Sequence, residues 1–121
     1  MVAYAPPPTP LPAPELSPAA DNLAGQAERQ RQMGDYVGAA ATLERALRIA
    51  PQEAYLWNRL ARVRMEQGQH AQAGNLAARS NALAKDRAEL KRDNWSMIAV
   101  SRRMAGDAAG AAEAEQKAAG G

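Results

Sequence analysis

The sequence predicts an all-α fold, a solenoid of six helices paired into three hairpins, preceded by a disordered proline-rich segment. Three observations lead there. Val, Ile and Thr are scarce, Phe is absent, and much of the 46% hydrophobic content is alanine, the best helix former, so little is left to build a sheet. From Ser17 onward, apolar residues recur at i, i+3, i+4 and i+7, the stripe of an amphipathic helix. Finally, a glycine introduces a short polar break at Gly34, Gly68 and Gly106, where glycine can end a helix in the left-handed conformation without strain at Cβ.

Seven of the eight prolines lie between Ala5 and Pro18, in "APPPTPLPAPELSP". Proline fixes φ and removes a backbone donor, so residues 1–17 are expected to be an extended, solvated tether. The alternative, a ligand for an SH3-like groove, rests on the loose PxxP matches "PPTP" and "PTPLP". Ser17-Pro18 then starts the first helix, because Ser caps and Pro suits the first helical position.

That helix is expected from Pro18 to Met33, and the second from Tyr36 to Ala50, with Ala39, Leu43, Ala46, Leu47 and Ala50 inward. The third should span Glu53 to Gln67, burying Leu56, Trp57, Leu60, Ala61 and Val63. The fourth should span Ala71 to Ala84, with Ala73, Leu76, Ala77, Ser80 and Leu83 on one stripe. The fifth carries Leu90, Trp95, Met97, Ile98 and Ala99 and should run from Arg87 to Ala105. "DRAE", Asp86 to Glu89, has capping-box spacing, which starts this helix one turn early and should make it project past its neighbours. The sixth is expected from Ala108 to Ala119. Its "AEAEQKAAGG" ending offers little polar bulk, where a solenoid normally carries a polar cap, so this end should be weakly ordered or covered by another chain.

Composition narrows the function. A net charge of +2 is too mild to imply nucleic acid, and acids interleave the bases of "KDRAELKRDNW", Lys85 to Trp95. With no cysteine, disulfides, thiolate metal sites and cysteine nucleophiles are excluded. No apolar run of about 18 residues spans a membrane. "MVAYAPPP" lacks the regions of a signal peptide, which suits either a cytosolic protein or a mature segment. The lone His70 has no second His beside it, and Glu66 is its nearest carboxylate in sequence, across the Gly68 break. No catalytic residue, metal or cofactor is therefore expected. "NWS" at Asn94 is a glycosylation sequon inside a predicted helix and is discounted.

The breaks are periodic. Gly34 and Gly68 are 34 residues apart; Gly68 and Gly106, like Trp57 and Trp95, are 38 apart. A helix–turn–helix period of 34 is that of the tetratricopeptide repeat (TPR). "WNRLA" from Trp57 and "WSMIA" from Trp95 resemble the family's opening motif, with Ala61 and Ala99 in place of Gly. Ala39, Leu43, Ala46 and Pro51 resemble its second-helix pattern, which continues as Ala73, Ala77 and Ser80, then as Ala111, Glu115 and Ala118. The chain thus resembles a TPR domain over residues 18–119, with repeats at about 20–53, 54–87 and 88–119 and a tail at 120–121. It departs at Leu23 and Gln26 in the first opening motif, and at Gln30, Arg64 and Arg102, where the family has Tyr.

The resemblance implies a protein partner held in a groove lined by the first helix of each pair. Asp21, Ala24, Glu28 and Arg31 would enter that groove from the first repeat, and Tyr55, Asn58, Arg62, Met65 and Glu66 from the second. Asp93, Ser96, Val100 and Arg103 would enter from the third. The expected partner-binding residues are Arg31, Tyr55, Asn58, Arg62, Met65 and Arg103, with Arg87, Lys91 and Arg92 of the projecting turn. The Lys/Asn clamp of repeats that bind chaperone tails does not map onto these positions. His70 shares its place with Tyr36 and Ala108, which suits packing at a turn.

"PPPTPLPAPELSP", "WNRLARVRMEQGQHAQA" and "DNWSMIAVSRRMAGD" carry a narrower resemblance. The chain is similar to the TPR-type outer-membrane lipoproteins that activate a class A penicillin-binding protein in pseudomonads. This implies a non-catalytic activator of a peptidoglycan synthase on the periplasmic face of the outer membrane. It would be attached only through a lipid on a cysteine that precedes this sequence. The alternative is a generic TPR adaptor, cytoplasmic or periplasmic, for secretion, pilus or other multiprotein assembly.

Overall fold

The structure, a computed structural model, describes Leu11 and residues 16–120. Apart from Leu11, Leu16 and Ser17, the proline-rich tether lies outside the described residues, as do the PxxP matches. Six helices follow in order: α1 (Pro18–Gln32), α2 (Tyr36–Ile49), α3 (Ala54–Glu66), α4 (His70–Leu83), α5 (Ala88–Met104) and α6 (Ala108–Ala118). Each packs on the next, and α3 also meets α5 directly, so the hairpins stack with their first helices side by side. Every expected helix is present, with ends shifted by one residue at most.

Short-range chemistry sets these ends. Ser17 Oγ accepts from the Ala20 amide at 3.3 Å, with Pro18 at the first helical position. Asp35 Oδ1 accepts from the Gly38 amide at 3.0 Å, and Asp107 Oδ1 from the Gly110 amide at 2.8 Å. Gly34, Gly68 and Gly106 sit at φ of 81°, 78° and 83°, closing α1, α3 and α5 as their spacing predicts.

The start of α5 differs from expectation. Arg87, not Asp86, is its N-cap residue and makes no side-chain capping bond, so "DRAE" forms no capping box. The preceding turn takes a different course: Lys85 lies in the left-handed region at φ 53°, and the Arg87 amide donates to the Ala84 carbonyl at 3.0 Å. At 17 residues against 13 in α3, α5 does carry the extra turn. That turn does not stand free, because Leu90 is 3% exposed and packs with Ala54 and Ala84. Left-handed backbone costs a residue with a Cβ about 1 kcal/mol or more. Lys85→Gly should therefore stabilise the fold by about 0.5–1 kcal/mol, read as a higher urea midpoint at unchanged slope.

The core changes character along the stack. Between the first two hairpins it is apolar, with Leu43, Leu47, Leu56, Leu60 and Val63 packed among alanines. A buried leucine contributes about 1.5–3 kcal/mol, so this cluster dominates hydrophobic stabilisation. The cluster centred on the third hairpin has only Met97 and Ile98 as large members, among Ala61, Ala77, Ala99 and Ala114.

Part of the apolar bulk is replaced here by a hydrogen-bonded seam. Asn94 Nδ2 donates to Ser80 Oγ at 2.8 Å and to Asn81 Oδ1 at 3.0 Å. Ser80 Oγ donates in turn to the Ala54 carbonyl at 2.8 Å. Asn58 Nδ2 donates to Asn94 Oδ1 at 2.8 Å and to Asp93 Oδ2 at 2.7 Å. Asn58, Ser80 and Asn94 are all fully buried, which also places the sequon asparagine inside the protein. Buried polar groups are tolerated when bonded to one another in this way.

Candidate protein-binding surface

The first helices of the hairpins share one face, tied across by ion pairs. Arg31 on α1 forms a fork with Glu28 and reaches both carboxylate oxygens of Glu66 on α3 at 2.9 and 2.8 Å. Asp93 on α5 accepts from Arg62 of α3 at 3.0 Å and lies 3.5 Å from Arg59. Three arginines thus meet three carboxylates, and this stretch of surface is close to neutral despite its charge density.

Arg59 is the residue that groove positions alone missed. Its Nε and Nη2 donate to Asn58 Oδ1 at 2.8 and 2.6 Å, and its guanidinium lies 5.6 Å from the Tyr55 ring centroid. Burial pushes its pKa below the ordinary arginine value, with Tyr55 and Asp93 opposing that shift, and it remains charged at neutral pH. The charged seam on the surface therefore continues into the buried amide seam beneath it.

The expected contact residues separate into three groups. Tyr55 and Arg62 lie on the face and are partly exposed, as is Arg31 within its ion pairs. Lys91 is half-buried and Arg92 exposed at the start of α5. Three others are engaged elsewhere: Arg87 grips Glu53 through Nη2 at 2.6 and 2.9 Å, Arg103 pairs with Glu115 on α6, and Asn58 is fully buried. Asn58 is therefore a framework residue, because its amide is consumed by Asn94, Asp93 and Arg59. Met65 is also partly engaged by its neighbours. It packs half-buried against the Met97–Ile98 cluster, with its sulfur 3.2 Å from His70 Nδ1. His70 is the first residue of α4 and closes the turn around that sulfur. Val100, 43% exposed, and Met104, 63% exposed, add an apolar edge along α5.

The Glu28–Arg31 pair has a readable pH dependence. The hydrogen bond from Arg31 holds the Glu28 carboxyl below its ordinary value, overcoming the opposite effect of burial. A carboxyl depressed in the folded state contributes stability above its unfolded pKa of about 4.3, and loses it as pH falls through the folded value. Thermal melts of the protein and of Glu28→Gln should thus differ most above about pH 5 and converge towards pH 2–3. A constant difference across that range would contradict the assignment.

A model of the tetratricopeptide repeat matches residues 30–92. The chain belongs to the tetratricopeptide repeat family. Among solved structures, this TPR chain is similar to the globular C-terminal domain of P. aeruginosa LpoP. Identity is 44% and TM-score 0.80, over 86% of this chain and 98% of that one. It is also similar to the Sgt2 TPR domain from Aspergillus fumigatus, with 25% identity and a TM-score of 0.74, over 84% of this chain and 65% of that one. No curated protein matches it.

The departures from the TPR pattern now have an account. Gln30, Arg64 and Arg102, in place of the family's Tyr, each reach a second helix. Gln30 Oε1 accepts from Thr42 at 2.7 Å, Arg64 meets Glu44 at 3.3 Å, and Arg102 donates to the Gly110 carbonyl at 3.0 Å. Polar bridges thus stand where the family pattern places an aromatic ring.

Proposed function

We propose that the chain is the non-catalytic, protein-binding domain of an envelope lipoprotein that binds and activates a class A penicillin-binding protein. The observation that carries this reading is the 44% identity to the LpoP C-terminal domain over 98% of that domain. The order of proline-rich segment and repeats, shared with outer-membrane lipoprotein activators, supports it from the sequence side. In this reading the tether extends from the periplasmic face of the outer membrane towards the peptidoglycan layer. The face of α1, α3 and α5 engages the synthase.

Activation then requires tighter binding to the active conformation of the synthase than to the inactive one, because only a difference in affinity shifts a population. Tyr55, Arg62, Lys91 and Arg92 are the residues best placed for contact, and Tyr and Arg are common interface anchors. Arg31, Arg87 and Arg103 would exchange an internal carboxylate for a partner's. The test is a pull-down with purified class A synthase together with a glycan-polymerisation assay. Retention of the synthase and faster polymerisation are expected. Neither binding nor stimulation would sink the activator reading and leave a TPR adaptor for another assembly. A signal peptide and Leu-x-x-Cys-like lipobox upstream of Met1 would favour the lipoprotein over that adaptor.

A further inference from the structure

The extra turn of α5 helps to build a pocket beside the start of α3. Ala54, Ala84 and Leu90 form a small apolar cluster, with Leu83 against it. Beside it, Tyr55 and residues 86–90 line a cavity of about 160 Å³. Leu11 packs on this cluster and forms one wall of the cavity. Its neighbours in sequence are Pro10 and Pro12, and it lies five positions before Leu16.

We propose that this apolar cluster, at the edge of the cavity, is a docking site for the chain's own amino-terminal segment, with Leu11 as the side chain that packs on it. The chemistry suits that ligand. The cluster is aliphatic, matching an isobutyl group, while Asp86, Arg87 and Glu89 form a charged rim. A proline-flanked leucine arrives on a segment already biased to be extended and with few backbone donors to strip of water. The short connection to α1 holds Leu11 near the cluster at an effective concentration in the millimolar range, so a single apolar contact can be well populated. Docking moves the point where the tether leaves the domain from Ser17, ahead of α1, to the start of α5 beside Tyr55. Any ligand that needs Tyr55 must then compete with Leu11.

The chain has no cysteine, which permits one labelling site. A nitroxide on Thr9→Cys in the full chain should broaden the amide signals of Tyr55, Ala88 and Leu90. Adding Leu11→Ser should restore them several-fold. Equal broadening with and without Leu11, or broadening in neither, would overturn the proposal. As a second arm, the free peptide PTPLPAP is added to the full-length Leu11→Ser chain and to the unmodified chain. Saturable shifts at Tyr55 and Leu90 are expected in the variant, with roughly tenfold more peptide needed in the unmodified chain. Identical responses in the two chains, or none in either, would also overturn it. Both arms use this protein without a partner, so their outcome is separate from that of the synthase assay.

Discussion

Replacing Asn58 with alanine is expected to destabilise the protein by about 3 kcal/mol, lowering Tm by roughly 10–20 °C. Asn58 bonds two asparagine-seam partners and an arginine at once. Its Nδ2 serves Asp93 and Asn94, and its Oδ1 accepts both donors of Arg59. Truncation leaves Asn94 Oδ1 without its donor and Arg59 without its main acceptor. Each stranded buried group costs about 1–3 kcal/mol, and more where charge is involved. Thermal and urea unfolding measure this. A loss below about 0.5 kcal/mol, typical of a surface substitution, would mean that the seam is not a structural element. Partner binding, if lost, should be lost through unfolding, unlike the effect of Arg62→Ala.

Gly74→Val is expected to cost about 3 kcal/mol, through separation of α4 from α5. A Cβ built on Gly74 would lie 2.3 Å from Ser101 Oγ and 2.6 Å from Ser101 Cβ. The hydroxyl can rotate away, but the Cβ is fixed to the α5 backbone. Repeat register puts Ala40 and Val63 at the corresponding places one junction earlier, both in the apolar core. A larger pair is accommodated there, and a Gly–Ser pair here, so the second junction closes more tightly. Size at residue 101 decides the outcome. Gly74→Ala should destabilise the natural chain, yet in a Ser101→Gly background it should gain up to about 1 kcal/mol from helix propensity. A destabilising Gly74→Ala in both backgrounds would place the constraint elsewhere.

Helix ends and repeat register were legible in the sequence because short-range signals set them: Ser17-Pro18, the Gly34-Asp35 and Gly106-Asp107 turns, and the paired Trp57 and Trp95. The surface was harder to read. A groove position assigns a direction from the helix axis, but not what a side chain finds there. That direction puts Asn58 outward, although the sequence holds a clue to its burial. Asn94 occupies the core place of Leu56, and Ser80 that of Ala46. Two polar residues in adjoining core positions require polar company, and Asn58 supplies it. The ion pairs of Arg87 and Arg103 depend on rotamers of long side chains meeting Glu53 and Glu115, which spacing does not encode. Leu11 carries no periodic signal at all, being an apolar residue among prolines.

The helix α6 has a dynamic consequence. Only Ala111 and Ala114 of its residues are buried, and alanine removes little area from water. Its other ties are a hydrogen bond from Arg102 to the Gly110 carbonyl at 3.0 Å, the Arg103–Glu115 pair, and Lys117, 4.3 Å from the Trp95 ring centroid. The last two are exposed charge contacts, which contribute little. In a stack of units, each held by its neighbours, the free energy of local opening is therefore graded along the chain. Amides of α6 should exchange with deuterium soonest and those of α3, flanked on both sides, last; uniform protection would contradict this. The α5 edge carrying Val100 and Met104 consequently sits on the most compliant unit of the solenoid, where a partner can reshape the surface it meets.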